Sequence, residues 1–188
     1  MKVKLNPAFE AMSGDLGELI FREVRGKTVV SRKSTMTVEP SPDQIAHRER
    51  FRLAVAYGRS VMSKAQVRAL YEEVARRRNV PVFSLTIADF FNAPTIHSVD
   101  LFEYHGQTGD VIHVMASDDF GVENVHVSIF NGQGETIESG SATETEAGSG
   151  HWFYTATSTL FTGTEITIRA VATDRPCGTA VKTHSFQF

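Results

Sequence analysis

A single cysteine, Cys177, leaves this chain of 188 residues unable to form an intrachain disulfide. That suits a reducing compartment, or a fold that needs no covalent staple. No run of about 18 apolar residues occurs, so no transmembrane helix and no membrane insertion are expected. The opening residues Met1-Lys2-Val3-Lys4-Leu5-Asn6-Pro7 are basic but lack the apolar stretch of about 7–15 residues that a secretory signal requires. The expectation is therefore a cytoplasmic or virion-associated protein, or one exported by a route other than general secretion. Basic residues are scarce beyond residue 93. There, one Lys and two Arg stand against twelve Asp and Glu, a net charge of −9. Residues 1–93 carry five Lys and eleven Arg against ten Asp and Glu, a net charge of +6. The overall −3 therefore hides two oppositely charged halves, a pattern that points to an interaction role.

Catalytic signatures are missing too. There is no Gly-x-Ser-x-Gly elbow and no phosphate-binding loop. Cys177 sits in the turn Arg175-Pro176-Cys177-Gly178 with no base in its motif, so it reads as a turn residue. Seven histidines are scattered with no His-x-His or His-x₃-His pair, so a zinc site is not expected and a solvated face is preferred. No helix-turn-helix, RNA-recognition or zinc-finger pattern accompanies the basic half. An enzyme is not indicated.

What is present falls into three parts. Residues 1–38 form an N-terminal arm and a β-hairpin. Its two β-rich runs, Glu18–Val24 and Lys27–Arg32, flank Arg25-Gly26. A lone hairpin is marginal in water, so it needs a partner. Residues 39–93 read as a small domain of three helices. Ser41, Pro42 and Gln44 make a capping box, and Ser63 with Gln66 suggests a second one. Arg76-Arg77-Arg78 suits the negative end of the second helix. A third helix is expected across Phe83, Ile87, Phe90 and Phe91. The break at Asn92-Ala93-Pro94 coincides with the charge break. Residues 94–188 then alternate with strand period in six or seven short runs. These include Ile112/Val114/Ala116, Val125/Val127/Ile129, Trp152/Tyr154 and Ile166/Ile168/Ala170/Ala172. The fold class is α+β, with an immunoglobulin-like β-sandwich as the C-terminal part.

The segments Ala116-Ser117-Asp118-Asp119-Phe120-Gly121-Val122 and Ala172-Thr173-Asp174-Arg175-Pro176-Cys177-Gly178, with Trp152-Phe153-Tyr154 between them, resemble bacterial immunoglobulin-like domains over about residues 95–188. Such modules serve as spacers, adhesive units or decorations on cell and virus surfaces. The resemblance implies the fold and is nearly silent on function. The N-terminal half is similar to a set of short bacterial proteins of uncharacterised role that open with a Gly-rich hairpin and an Arg-rich helix, and that likeness implies no activity.

Four sets of residues are singled out. Arg22, Arg25, Lys27, Arg32 and Lys33 on the hairpin form a candidate assembly interface. In a sandwich of this kind Asp118, Asp119 and Asp174 would share one pole. They are candidate ligands for Ca²⁺, which takes about six to eight oxygens, with turn capping as the simpler reading. Trp152 is a candidate contact for carbohydrate or protein. Arg48, Arg50, Arg52, Arg59 and Arg68 are a helical basic field interrupted by Glu49, Glu72 and Glu73, which favours a solvated face or protein interface over nucleic acid. No cofactor is otherwise expected. The reading that unites these features is a structural subunit that associates head-to-tail with copies of itself into a filament, surface layer or virion component. The alternatives are an adhesion module that binds through the sandwich loops or Trp152, and a nucleic-acid binder that uses the basic half.

Overall fold

A computed structural model describes residues 13–24, 26–33, 39–161, 163 and 165–187. The chain divides into two compact units, Met1–Ile45 and Ala46–Phe188.

The first unit holds a three-stranded antiparallel sheet in the order β1-β2-β3, made of β1 (Gly14–Leu16), β2 (Leu19–Val24) and β3 (Lys27–Arg32). The expected hairpin is present, and β1 lengthens it by pairing Gly14 with Phe21 and Leu16 with Leu19. This segment reads as irregular in sequence because Gly14 and Gly17 break the pattern. Both take positive φ, 122° and 60°, where glycine meets no Cβ penalty.

Three helices follow: α1 (Pro42–Ser63), α2 (Ala65–Arg78) and α3 (Val82–Phe91). The capping box at the start of α1 forms as expected. The Ser41 N–H donates to Gln44 Oε1 (3.2 Å), and the Gln44 N–H donates to Ser41 Oγ (3.3 Å). The second box does not form. Ser63 closes α1, its hydroxyl donating to the Ser60 carbonyl at 2.7 Å, and α2 begins after Lys64 without a side-chain cap. The left-handed Asn79 terminates α2 and returns its N–H to the Ala75 carbonyl. In α3 the buried residues are Leu85, Thr86 and Asp89, rather than the phenylalanines that marked the helix. Gly58 of α1 lies so close to α3 that a Cβ there would meet Thr86 Oγ1 at 2.6 Å.

Eight further strands build two four-stranded antiparallel sheets. They are β4 (Thr95–Asp100), β5 (Val111–Ser117), β6 (Val122–Asn131), β7 (Thr136–Ser141), β8 (Thr143–Glu144), β9 (His151–Thr155), β10 (Glu165–Asp174) and β11 (Thr179–Gln187). One sheet runs β4-β5-β9-β8 and the other β11-β10-β6-β7. Ala142 alone separates β7 from β8, so the chain changes sheet there without a loop. The inward side chains of both sheets meet in one core: Ile112, Val114, Ala116, Trp152 and Tyr154 from the first, and Val125, Val127, Ile129, Ile166, Ile168, Ala170 and Ala172 from the second. The molecule is thus α+β, a β-sandwich with a helical part. A second apolar cluster of Val61, Tyr71, Ala75 and Leu85 takes in Phe120 of the sandwich, so the helices pack on the β5–β6 end of the sandwich. No helix among the described residues is long and apolar enough to cross a membrane.

Candidate functional site

Three surfaces carry the chemistry that the sequence singles out. On the N-terminal sheet, antiparallel register puts Leu16, Leu19, Phe21 and Val30 on one face and Ile20, Arg22, Val24 and Val29 on the other. Phe21 is buried, whereas Leu16 is 57% exposed, Leu19 40% and Val30 39%. Of the five basic residues expected here, Arg32 reaches Glu18 (3.5 Å) and Lys33 reaches Asp15 (3.3 Å), both exposed pairs that contribute little. Arg22 and Lys27 form no ion pair among the described residues, and Arg25 lies outside them.

On the helices, Arg52 pairs with Glu49 (2.9 Å) and Arg68 with Glu72 (2.6 Å). The Arg50 guanidinium lies over the Phe91 ring, 4.9 Å from its centre. Part of the basic field is therefore spent within the helices, and Phe51, Leu53 and Leu70 stay exposed beside it.

At the pole where the helices meet the sandwich, the three aspartates have separate tasks. Asp118 Oδ2 accepts the Phe120 and Gly121 N–H groups at 2.8 and 3.2 Å, shaping the turn into β6. Asp174 Oδ1 accepts the Gly178 N–H at 2.5 Å. A Cβ at position 178 would fall 2.4 Å from Asp174 Oδ2, so the turn requires glycine. Asp119 turns away and accepts from Asn92 Nδ2 at 2.7 Å. The calcium set is thus not assembled as expected: Asp118 and Asp174 share the pole, while Asp119 serves a tie to the residue that follows α3. Among the described residues no group of three or more Asp, Glu, His or Cys side chains is placed to hold a metal ion.

The carboxylate that does join Asp118 and Asp174 is Asp89 of α3, only 1% exposed. Tyr71 of α2 donates its hydroxyl to Asp89 Oδ2 and meets the Tyr57 hydroxyl of α1 at 2.7 Å. Burial pushes the Asp89 carboxyl up to about 6, and the charges of Asp118 and Asp174 add to this against the Tyr71 hydrogen bond and Arg175. Burial likewise raises Asp174, and it raises the Tyr57 hydroxyl to about 12. Asp89 Oδ1, Asp118 Oδ1 and Asp174 Oδ2 are buried without a hydrogen-bond partner. The pole is therefore rich in acceptors and short of donors, an arrangement that retains a proton at mildly acid pH. Arg175, the nearest cation, is drawn to Glu123 at 2.9 Å.

Trp152 is not available to a ligand. It is 6% exposed and points into the sandwich core, because residues 152 and 154 take the inward positions of β9. The outward neighbour Phe153 is 37% exposed, its ring parallel to His113 at 4.6 Å. Nearby, Phe102 is 85% exposed and lines a shallow cavity with Asp100, Glu103, His113 and Phe153. On the same outer face, His113 Nε2 and His151 Nδ1 approach to 2.9 Å. Local spacing could not show this pair, since the two residues lie 38 positions apart and meet only through strand register. Cys177 is exposed in its turn with φ of 70°.

No protein-family model and no curated protein matches the chain. Among solved structures, the chain is similar to CopC from Methylosinus trichosporium OB3b, with 12% sequence identity and a TM-score of 0.38. The match covers 50% of this chain and 91% of that one. A likeness of that size carries nothing about ligand or role.

Proposed function

We propose that the chain is a non-enzymatic structural subunit of a repeating assembly, in which the basic N-terminal sheet of one copy docks on the acidic sandwich of the next. One observation carries this reading: the small sheet leaves apolar side chains exposed on both faces, Leu16, Leu19 and Val30 on one and Val24 and Val29 on the other. A sheet of this size gains stability by covering such a face. The charge split, +6 before residue 94 and −9 after it, suits a contact between unlike surfaces. Such a contact is heterologous, so it closes into rings or runs on as a filament.

The sandwich is read as immunoglobulin-like, in line with the resemblance to bacterial immunoglobulin-like domains. The orders β4-β5-β9-β8 and β11-β10-β6-β7 support this, since they place the first, second, sixth and fifth of the eight strands in one sheet and the last, seventh, third and fourth in the other. A second reading, an adhesion module for protein or carbohydrate, rests on exposed Phe102 and Phe153 beside Asp100 and Glu103. Nucleic-acid binding ranks below both, because Arg32, Lys33, Arg52 and Arg68 are already ion-paired.

Light scattering on a sizing column, with electron microscopy, tests the assembly. The full chain should form rings or polymers at micromolar concentration, while removal of residues 1–38 leaves monomers. Arg22→Glu with Lys27→Glu in the full chain should slow assembly, most at low salt. A full chain that stays monomeric across salt and concentration refutes the reading and promotes the adhesion module.

A further inference from the structure

His113 on β5 and His151 on β9 lie diagonally across one strand pair. Register sets Met115 opposite His151 and Phe153 opposite His113. The ring centres are 5.1 Å apart and the ring planes differ by 17°, yet Nε2 of one ring and Nδ1 of the other are separated by only 2.9 Å. The rings therefore meet edge to edge, nitrogen to nitrogen. Only one of the two facing nitrogens can carry a proton in that arrangement, and the other presents its lone pair to the same point. The parallel Phe153 ring, 4.6 Å from His113, holds that imidazole in place.

The geometry points to a transition-metal site in which neutral His113 and His151 ligate one divalent ion of the zinc class through Nε2 and Nδ1. Imidazole nitrogen suits such ions at about 2.0–2.1 Å. A tetrahedral ion at that distance spreads two ligating nitrogens to about 3.3 Å, a little wider than the observed gap, and each ring turns by roughly 30° to aim its lone pair at the ion. The site is open to entry from both sides. A cavity of about 240 Å³ reaches His151 and Met115, and one of about 150 Å³ reaches His113 and Asp100. Since no group of three carboxylates, thiolates or imidazoles converges among the described residues, water completes the coordination. The site is independent of the assembly reading, because it needs only one copy of the chain.

The test uses the full chain with ZnCl₂ as the probe. Calorimetry should give one ion per chain. Long-range ¹H–¹⁵N spectra of the imidazoles should move His113 Nε2 and His151 Nδ1 to metal-bound positions while His105 and His184 stay put. His113→Asn and His151→Gln should each weaken binding at least tenfold, whereas His184→Ala leaves it unchanged. Zinc that shifts other imidazoles, or binding that survives both single variants, overturns the assignment. So does an absence of binding at millimolar zinc. The ¹⁵N measurement on the unaltered chain decides the matter even if a variant fails to fold.

Discussion

Replacing Asp89 with Asn should stabilise this protein at neutral pH, against the usual direction for a buried substitution. The carboxyl sits at about 6 in the fold against an ordinary 3.8. Between those two values the folded state holds a proton that the unfolded chain has lost. Stability from this group is therefore fully present below about 3.8 and falls as pH rises through about 6. The difference amounts to about 3 kcal/mol at neutral pH, an upper bound for what a neutral isostere recovers. Asparagine can still accept the Tyr71 hydroxyl. Its amide also brings a donor to a pole where Asp89 Oδ1, Asp118 Oδ1 and Asp174 Oδ2 have none. Urea melts of both proteins between pH 3 and 8 read the effect. The two curves should nearly coincide at the acid end, with Asp89→Asn ahead by about 1–3 kcal/mol at pH 7.5, or roughly 2–12 °C in melting temperature. The reasoning fails if the variant is the less stable protein at pH 7.5, or if the gap between the two does not change with pH.

Two substitutions on adjacent residues should separate the faces of β9: Trp152→Ala removes core and costs about 3–5 kcal/mol in denaturant melts, whereas Phe153→Ala costs about 1 kcal/mol or less. Gly58→Ala should destabilise the α1–α3 crossing by about 1–3 kcal/mol, because its Cβ meets Thr86 and Phe83. A helix-propensity gain in the same melts would show that the crossing yields easily.

The sandwich core was legible because one face of each strand is buried, which forces strict alternation at Ile112, Val114 and Ala116 and again from Ile166 to Ala172. The capping box at Ser41 was legible because it is built from residues three apart. Features made by distant partners were hidden. In α3 the apolar spacing marks the phenylalanines, yet Asp89 is the deeper residue, its Oδ2 held by Tyr71 of α2, whose hydroxyl in turn meets Tyr57 of α1. Asp118 and Asp174 were placed at one pole by the expected topology, but their third member comes from α3, where nothing local marks it. Trp152, offered as a contact for carbohydrate or protein, lies in the core, since alternation in β9 assigns outward exposure to Phe153. The histidine pair depends on the register of β5 against β9, which no single stretch of sequence reveals.

The switch at Ala142 has a consequence for how the chain tolerates changes of length. Ser141 still pairs with β6, Thr143 already pairs with β9, and the Ala142 N–H is held by the Val125 carbonyl at 2.7 Å. Any added residue there would throw β7 and β8 out of phase with each other and reverse which side chains face inward on one of them. The neighbouring turns are different. Asn131–Glu135 closes on itself through its own hydrogen bonds, and Glu146–Gly150 closes through Ser149 to Glu146, with Gly148 and Gly150 donating to Glu144 at the end of β8. A foreign peptide belongs in one of those two turns, and Ala142 marks the place where none can go.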